Sequence, residues 1–171
     1  VSSIPLPPRP DPVLVSRTRP TEHSGMVYQL FAIVGISLGV SFICSILEAI
    51  ILSVTQGYVH LLRDQGAKAG EILHGMQRKV DEPIAAILAL NTLANTFGAA
   101  LGGALAFRIW GETSTAIFSA ALTLAILLFS EILPKTLGAT LWPALAPPAA
   151  FLLRGLIFIT RPIIIHLPWY A

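Results

Sequence analysis

The sequence predicts an all-α integral membrane domain with three transmembrane helices, juxtamembrane interfacial helices and a cytosolic helical hairpin. The first observation is composition. Of its 171 residues, 54% are hydrophobic and only 12% are charged, about half the charged share of an average soluble domain. The second is the presence of three apolar runs, each longer than the roughly 20 helical residues that span a bilayer. The third is charge placement. The basic residues are scattered between these runs, so the net charge of +2 does not indicate a nucleic-acid partner.

The predicted domain boundary separates residues 1–25 from residues 26–171. The first segment is polar and carries six prolines, so it cannot form a packed core and is expected to be a flexible or extended tail. The sequence does not begin with Met, so the origin of this tail is left open and no function is assigned to it. Residues 26–171 are expected to form one transmembrane domain, in which the lone Cys44 is a small buried hydrophobe.

The three apolar runs define the predicted spans, over residues 27–55, 84–107 and 113–134. The first is interrupted only by Glu48, and it is longer than the apolar core of a signal peptide. The second carries no charge, and Pro83 just before it suits the first turn of a helix. Residues 108–112, between the second and third spans, are too few to hold a domain, so these two spans form an antiparallel hairpin.

The segments that flank the spans are predicted to be helical as well. Residues 56–82 repeat apolar side chains at helical spacing and are expected to form a small helical hairpin that extends the first span. Their apolar positions are Val59, Leu62, Ile72, Leu73 and Met76. From about residue 138 to residue 171, prolines, arginines and tryptophans interrupt the apolar pattern, which favours a belt of short interfacial helices lying along the membrane. A fourth span over residues 144–159, with Arg154 buried, is the alternative.

The distribution of Lys and Arg predicts how the domain is oriented in the membrane. Seven of the eleven lie in residues 56–82 and after the third span, and four lie in the tail and at Arg108. This bias predicts an external N-terminus and a cytoplasmic C-terminus.

The end of the third span carries the sequence Ser-Glu-Ile-Leu-Pro-Lys at residues 130–135. Ionisable residues at membrane depth are costly and usually functional. Pro134 has no N–H, so the carbonyl of Ser130 loses its partner four residues further on, and in lipid that carbonyl needs a replacement. A cation bound beside Glu131 would supply one, whereas Lys135 is expected to reach the interface as an anchor.

The other two spans add polar side chains at helical spacing. In the first, Ser41, Ser45 and Glu48 share one helix face. In the second, Asn91 and Asn95 are one turn apart. Each has a simpler interpretation. A serine in a membrane helix can donate to a carbonyl of its own helix, which is the prediction for Ser41, and asparagines can bond helices together.

The convergence of carboxylates, amides and hydroxyls from three spans predicts a cation site. These groups and the backbone carbonyls are hard oxygen donors, which suit Mg²⁺, Ca²⁺ or Na⁺ better than Zn²⁺ or Cu⁺. An intramembrane enzyme is not favoured, because the three spans contain no His and no Asp that could activate a nucleophile. The alternative to a transporter is a membrane scaffold that dimerises a cytosolic sensor and holds a structural cation.

Three pieces of the sequence are Ser45-x-x-Glu48, Asn91-Thr92-Leu93-Ala94-Asn95 and Glu131-Ile132-Leu133-Pro134-Lys135-Thr136. In this order and spacing they resemble the CorC/cyclin-M (CNNM) family of magnesium transporters, across residues 31–165. The resemblance implies a homodimer with a juxtamembrane belt, located in a bacterial inner membrane, that exports Mg²⁺, in some schemes in exchange for Na⁺. It also implies which residues face the cation. These are Ser45, Asn91, Asn95 and Glu131, with Ser130 and Glu48 as further candidate ligands.

The sequence departs from the family pattern at two positions. Ser130 stands where the family often has Gly, and Leu47 where it often has Ser. The resemblance further implies cytosolic CBS modules, which these 171 residues do not contain and which are expected in the full-length protein. The homodimer interface is left open among three surfaces. They are the face of Gly98 and Gly102, the face of Gly35 and Gly39, and the third span.

Overall fold

The structure, a computed structural model, describes the chain from residue 20 to residue 165 and its side chains from residue 23 to residue 161. In chain order the elements are α1 (Pro20–Ser53), α2 (Gln56–Asp64), α3 (Lys68–Arg78), α4 (Asp81–Trp110), α5 (Glu112–Ala125), a π-helical segment (Ile126–Ile132) and α6 (Leu133–Ile165). Most of the predicted tail and the end of the predicted belt lie outside these residues. The described part contains no strand, so the predicted all-α class is confirmed.

Three helical stretches of the described chain are long and apolar enough to cross a membrane. They are His23–Ser53, Asp81–Trp110 and Glu112–Arg161. Their outer faces carry large exposed apolar side chains such as Phe31, Phe97 and Ile117, as expected of surfaces that meet lipid rather than water. Pro83 lies in the first turn of α4, where its missing N–H has no helical partner to lose. The prediction of three spans is confirmed.

Helices α2 and α3 form the predicted helical hairpin. Gly66, with φ of +71°, turns the chain between them, a conformation that glycine adopts at little cost. Gly70 lets α3 approach α2 closely, because a Cβ there would lie 2.8 Å from the backbone nitrogen of Arg63. Val59 and Leu73 are fully buried in a core that the hairpin shares with α1 and α6.

Small residues also bring α4 against its neighbours. A Cβ on Gly98 would lie 2.1 Å from Ser37 Oγ of α1, and a Cβ on Gly102 would lie 3.4 Å from Phe118 of α5. This glycine face therefore packs within the chain. The glycine pair of the first span is different, because a Cβ at either position would meet nothing within 4 Å. That second face is free to contact lipid or another subunit.

Helix α6 differs from its prediction. The sequence predicts short interfacial helices from about residue 138, whereas one helix runs from Leu133 to Ile165. It continues through Pro143, Pro147 and Pro148. Burial of its apolar side chains in the hairpin core offsets the hydrogen bonds that these prolines remove. The buried residues are Ala146, Ala149, Ala150 and Leu153. Arg154, which the alternative of a fourth span expects to be buried, is exposed.

Candidate cation site

The polar end of the third span lies in the π-helical segment. Leu133 N–H donates to the carbonyl of Leu128, five residues back instead of four. A π turn places one extra residue in the helix and is frequent at functional sites. Within this segment Ser130 is fully buried and Glu131 is half-buried.

The carbonyl of Ser130 accepts a hydrogen bond from another helix. Pro134 cannot donate to it, as the sequence predicts, and the hydroxyl of Ser45 on α1 donates instead. All three residues are fully buried, so an unpaired carbonyl here would cost about 1–3 kcal/mol. The Ser130 hydroxyl also reaches α1, where it donates to the carbonyl of Leu38 at 3.4 Å. Two hydrogen bonds therefore join the third span to the first at this point.

Asn91 and Asn95 form a second polar cluster, at the contact between α4 and α1. Ser41 Oγ donates to Asn91 Oδ1 at 2.5 Å, and Asn95 Nδ2 donates to the same oxygen at 3.4 Å. The prediction that Ser41 bonds within its own helix is wrong, because Asn91 offers it an acceptor across the helix contact. Asn95 Oδ1 is buried and accepts no hydrogen bond from the described residues.

One polar residue beside these clusters escapes prediction from the sequence. Ser37 Oγ donates to the carbonyl of Ala94 at 2.5 Å, next to Gly98, whose missing side chain gives it room. The signal that could have identified Ser37 is spacing. Serines recur at every fourth position, 37, 41 and 45, and so follow one face of α1. That face meets α4 at its first two serines and the third span at the last.

The two carboxylates of the predicted site have different surroundings. Glu48 Oε2 lies 3.3 Å from Lys135 Nζ, so Lys135, expected as an interface anchor, ties the start of α6 to α1. Glu131 forms no ion pair and no hydrogen bond with any residue from 23 to 161. Its carboxyl group therefore has no partner within the described chain.

Four of the six predicted ligands form hydrogen bonds to one another or to Ser41, on three helices. They are Ser45, Asn91, Asn95 and Ser130, in two hydrogen-bonded clusters whose α1 members are one turn apart. Glu131 adjoins the buried serine of the π-helical segment. Glu48 lies one turn beyond the α1 serine but is held by Lys135.

The arrangement offers mostly neutral oxygen ligands. Within residues 23–161, no group of three or more His, Cys, Asp and Glu side chains is placed to hold a metal. Hydroxyl, amide and carbonyl oxygens with one free carboxylate suit a hard cation and would be a poor site for Zn²⁺. The oxygen left without a partner, Asn95 Oδ1, is one that such a cation would satisfy.

Three known bacterial proteins resemble this chain. In Escherichia coli K12, the UPF0053 inner membrane protein YfjD is 34% identical over 100 residues, which cover 58% of this chain and 23% of that protein. In Synechocystis, the UPF0053 protein sll1254 is 33% identical over 136 residues, which cover 80% of this chain and 39% of that protein. In Haemophilus influenzae, a UPF0053 protein is 34% identical over 110 residues, which cover 64% of this chain and 26% of that protein. The chain thus spans less than about two fifths of each relative.

A family comparison covers more of the chain than any of these three relatives does. The family described as Cyclin M transmembrane N-terminal domain (CNNM) matches residues 31–171, and it agrees with the resemblance that the three sequence motifs predict. With three apolar helices of membrane-spanning length, this chain is a membrane protein that belongs to the cyclin M transmembrane domain family.

Proposed function

We propose that this domain binds Mg²⁺ between its three spans and carries it across the membrane. The observation that supports this most directly is Asn95 Oδ1, a buried acceptor without a donor in the described chain. Leaving such an atom unpaired costs about 1–3 kcal/mol, and the hydrocarbon of a bilayer supplies no water to offset that cost. A cation that binds Asn95 would recover it.

The neighbouring oxygens can bind a cation without giving up their hydrogen bonds. A hydroxyl retains two lone pairs after donating its proton, and a carbonyl has two in all. Ser45 can therefore donate to the carbonyl of Ser130 while both oxygens face an ion. Glu131 adds a negative charge that no described residue neutralises. In this proposal Glu131, rather than the paired Glu48, balances the divalent charge.

The setting of this transport is part of the proposal. The relative in Escherichia coli is named an inner membrane protein, and we place this chain in a bacterial inner membrane. The Lys and Arg distribution favours an external N-terminus and a cytoplasmic C-terminus. We further propose a homodimer, Na⁺ as the coupling ion, and control by CBS modules in the full-length protein.

Isothermal titration of Mg²⁺ into purified wild type and Asn95→Ala tests the site. Since removing even a group that orients a ligand costs about 10- to 100-fold in metal affinity, we expect at least about a tenfold loss. Without Mg²⁺, the unfolding temperature of Asn95→Ala should fall only slightly. The variant loses the bond from Asn95 Nδ2 to Asn91 Oδ1, but it also loses an unpaired acceptor, and Asn91 Oδ1 still accepts from Ser41. Thr96→Ala, at the exposed neighbouring position, is the control and should bind as wild type does. Wild-type affinity in Asn95→Ala would overturn the site.

Transport needs a separate measurement in liposomes that contain the purified protein. We expect an imposed Mg²⁺ gradient to drive Mg²⁺ movement that Asn95→Ala slows and Thr96→Ala does not. Binding without movement, under every Mg²⁺ and Na⁺ gradient tried, would favour the scaffold with a structural cation over the transporter.

A further inference from the structure

Helix α6 contains a second carbonyl freed by a proline, outside the cation site. Pro147 has no N–H, so the carbonyl of Pro143 lacks a helical partner four residues further on. The hydroxyl of Tyr58 on α2 donates to that carbonyl at 2.6 Å. The helical hairpin is thereby bonded to α6 at a point where α6 cannot complete its own hydrogen bonds.

Tyr58 is held in place through both its ring and its backbone. Its ring packs edge-on against Trp142 of α6, with ring centroids 5.1 Å apart and an interplanar angle of 85°. Its backbone N–H donates to Thr55 Oγ1, the N-cap of α2, at 3.4 Å. The tyrosine hydroxyl is therefore presented by a fixed ring at the first turn of the hairpin.

The same helix runs from this contact to the cation site. Between the two, Gly138 packs so closely on α1 that a Cβ would lie 2.7 Å from Ala49 Cβ and 2.9 Å from the carbonyl of Ile46. Lys135 then pairs with Glu48. A shift of α6 at its contact with the hairpin would be transmitted along a packed helix to the π-helical segment.

We propose that Tyr58 is a positioning residue. Its bond to the Pro143 carbonyl fixes the position of α6 beside Pro147, and through α6 it holds the π-helical segment in register with α1. The link to the ion rests on the proposed Mg²⁺ site, whereas the link between hairpin and helix does not. Movement of the hairpin would then change how the site binds its cation.

Tyr58→Phe tests this inference, because it removes the hydroxyl and keeps the ring against Trp142. By the usual effect of losing one hydrogen bond, Mg²⁺ affinity in titration calorimetry should fall about 2- to 10-fold. Pro147→Ala gives position 147 an N–H that can donate to the Pro143 carbonyl. In that background Tyr58→Phe should change the affinity by less than about twofold, since the hydroxyl has become redundant. Tyr28→Phe, at an exposed position of α1, is the control and should have no effect.

A distance measurement keeps this test separate from the test of the cation site. Spin labels at Leu61 of α2 and Phe158 of α6, both exposed, in a Cys44→Ala background, report the separation of hairpin and helix. Tyr58→Phe should broaden the distance distribution, and adding Pro147→Ala should narrow it again. An unchanged distribution, or an equal effect of Tyr58→Phe in both backgrounds, would overturn the inference. If wild type binds no Mg²⁺, the proposed function fails and the distances alone decide whether Tyr58 holds α6.

Discussion

Two of the carbonyls that prolines free on the third span and its continuation lie in different surroundings. At both Ser130 and Pro143, a proline four residues further on removes the helical donor, and a hydroxyl from another helix replaces it. Ser130 and its donor Ser45 are fully buried, whereas the bond from Tyr58 lies at the exposed surface of the described chain. Water cannot reach the buried bond to replace a lost partner. Loss of the buried bond should therefore destabilise the fold more than loss of the exposed bond does.

The largest effect is expected at the charge beside the buried bond. Glu131→Gln keeps the shape of the side chain and removes the charge that, in our proposal, balances Mg²⁺. Because altering groups that only orient a metal ligand costs about 10- to 100-fold, we expect at least about a 100-fold loss of Mg²⁺ affinity in titration calorimetry. Glu112→Gln, in the first turn of α5 and exposed, is the matched control. An unchanged affinity in Glu131→Gln would remove Glu131 from the site.

Removing the donor of the buried bond comes next. Ser45→Ala leaves the Ser130 carbonyl unpaired, and we expect the free energy of unfolding to fall by about 1–3 kcal/mol. Pro134→Ala restores an N–H four residues further on. In that background the cost of Ser45→Ala should fall by about half or more. Equilibrium unfolding of wild type, Ser45→Ala, Pro134→Ala and the double variant in mixed detergent gives these free energies of unfolding. Equal costs in both backgrounds would show that Ser45 stabilises the fold in another way.

A smaller effect is expected between the two carbonyls, where α6 touches α1. Gly138→Ala places a Cβ 2.7 Å from Ala49 Cβ and 2.9 Å from a backbone carbonyl, and overpacking of this kind costs about 1–3 kcal/mol. The better helix propensity of Ala stabilises the folded state by up to about 1 kcal/mol and offsets part of this cost. We therefore expect a net loss of about 0–2 kcal/mol in the same unfolding measurement. Gly155→Ala, where a Cβ meets nothing within 4 Å, should be neutral or stabilising. A stable Gly138→Ala protein with wild-type Mg²⁺ affinity would show that this contact does not transmit the position of α6.

The sequence predicts which groups need partners better than it predicts the partners. Span lengths, the helical hairpin and the freed Ser130 carbonyl follow from local rules about hydropathy, periodicity and proline. Ser45 as the donor, and Asn91 as the acceptor for Ser41, depend on how α1 is rotated against α4 and the third span. Close contacts at glycines set that rotation, and a glycine pattern does not say which side it faces. Helix α6 is misjudged for the same reason, because its continuity depends on burial against the hairpin core.

The smallest effect is expected on the exposed side of the hairpin. The Arg63 Nε–H donates to Glu71 Oε1 at 2.8 Å, and this hydrogen bond, together with the charges of Arg63 and His74, holds the pKa of Glu71 below its ordinary value of 4.5. In Arg63→Gln that pKa should rise toward 4.5, which carbon-13 NMR of the carboxyl group can follow. Arg78→Gln, in the last turn of α3, is the control.

The sign of the effect of this pair on stability follows from the direction of that shift. Because the pKa of Glu71 is lower in the folded state than in the unfolded state, the pair stabilises the fold above about pH 4.5, and this contribution is lost as the pH falls through the lowered pKa. Exposed ion pairs contribute little, so wild type and Arg63→Gln should differ slightly in unfolding temperature at pH 7 and not at all in strong acid. A loss at pH 7 larger than that of Ser45→Ala would contradict the comparison, because an exposed polar contact would then matter more than a buried one.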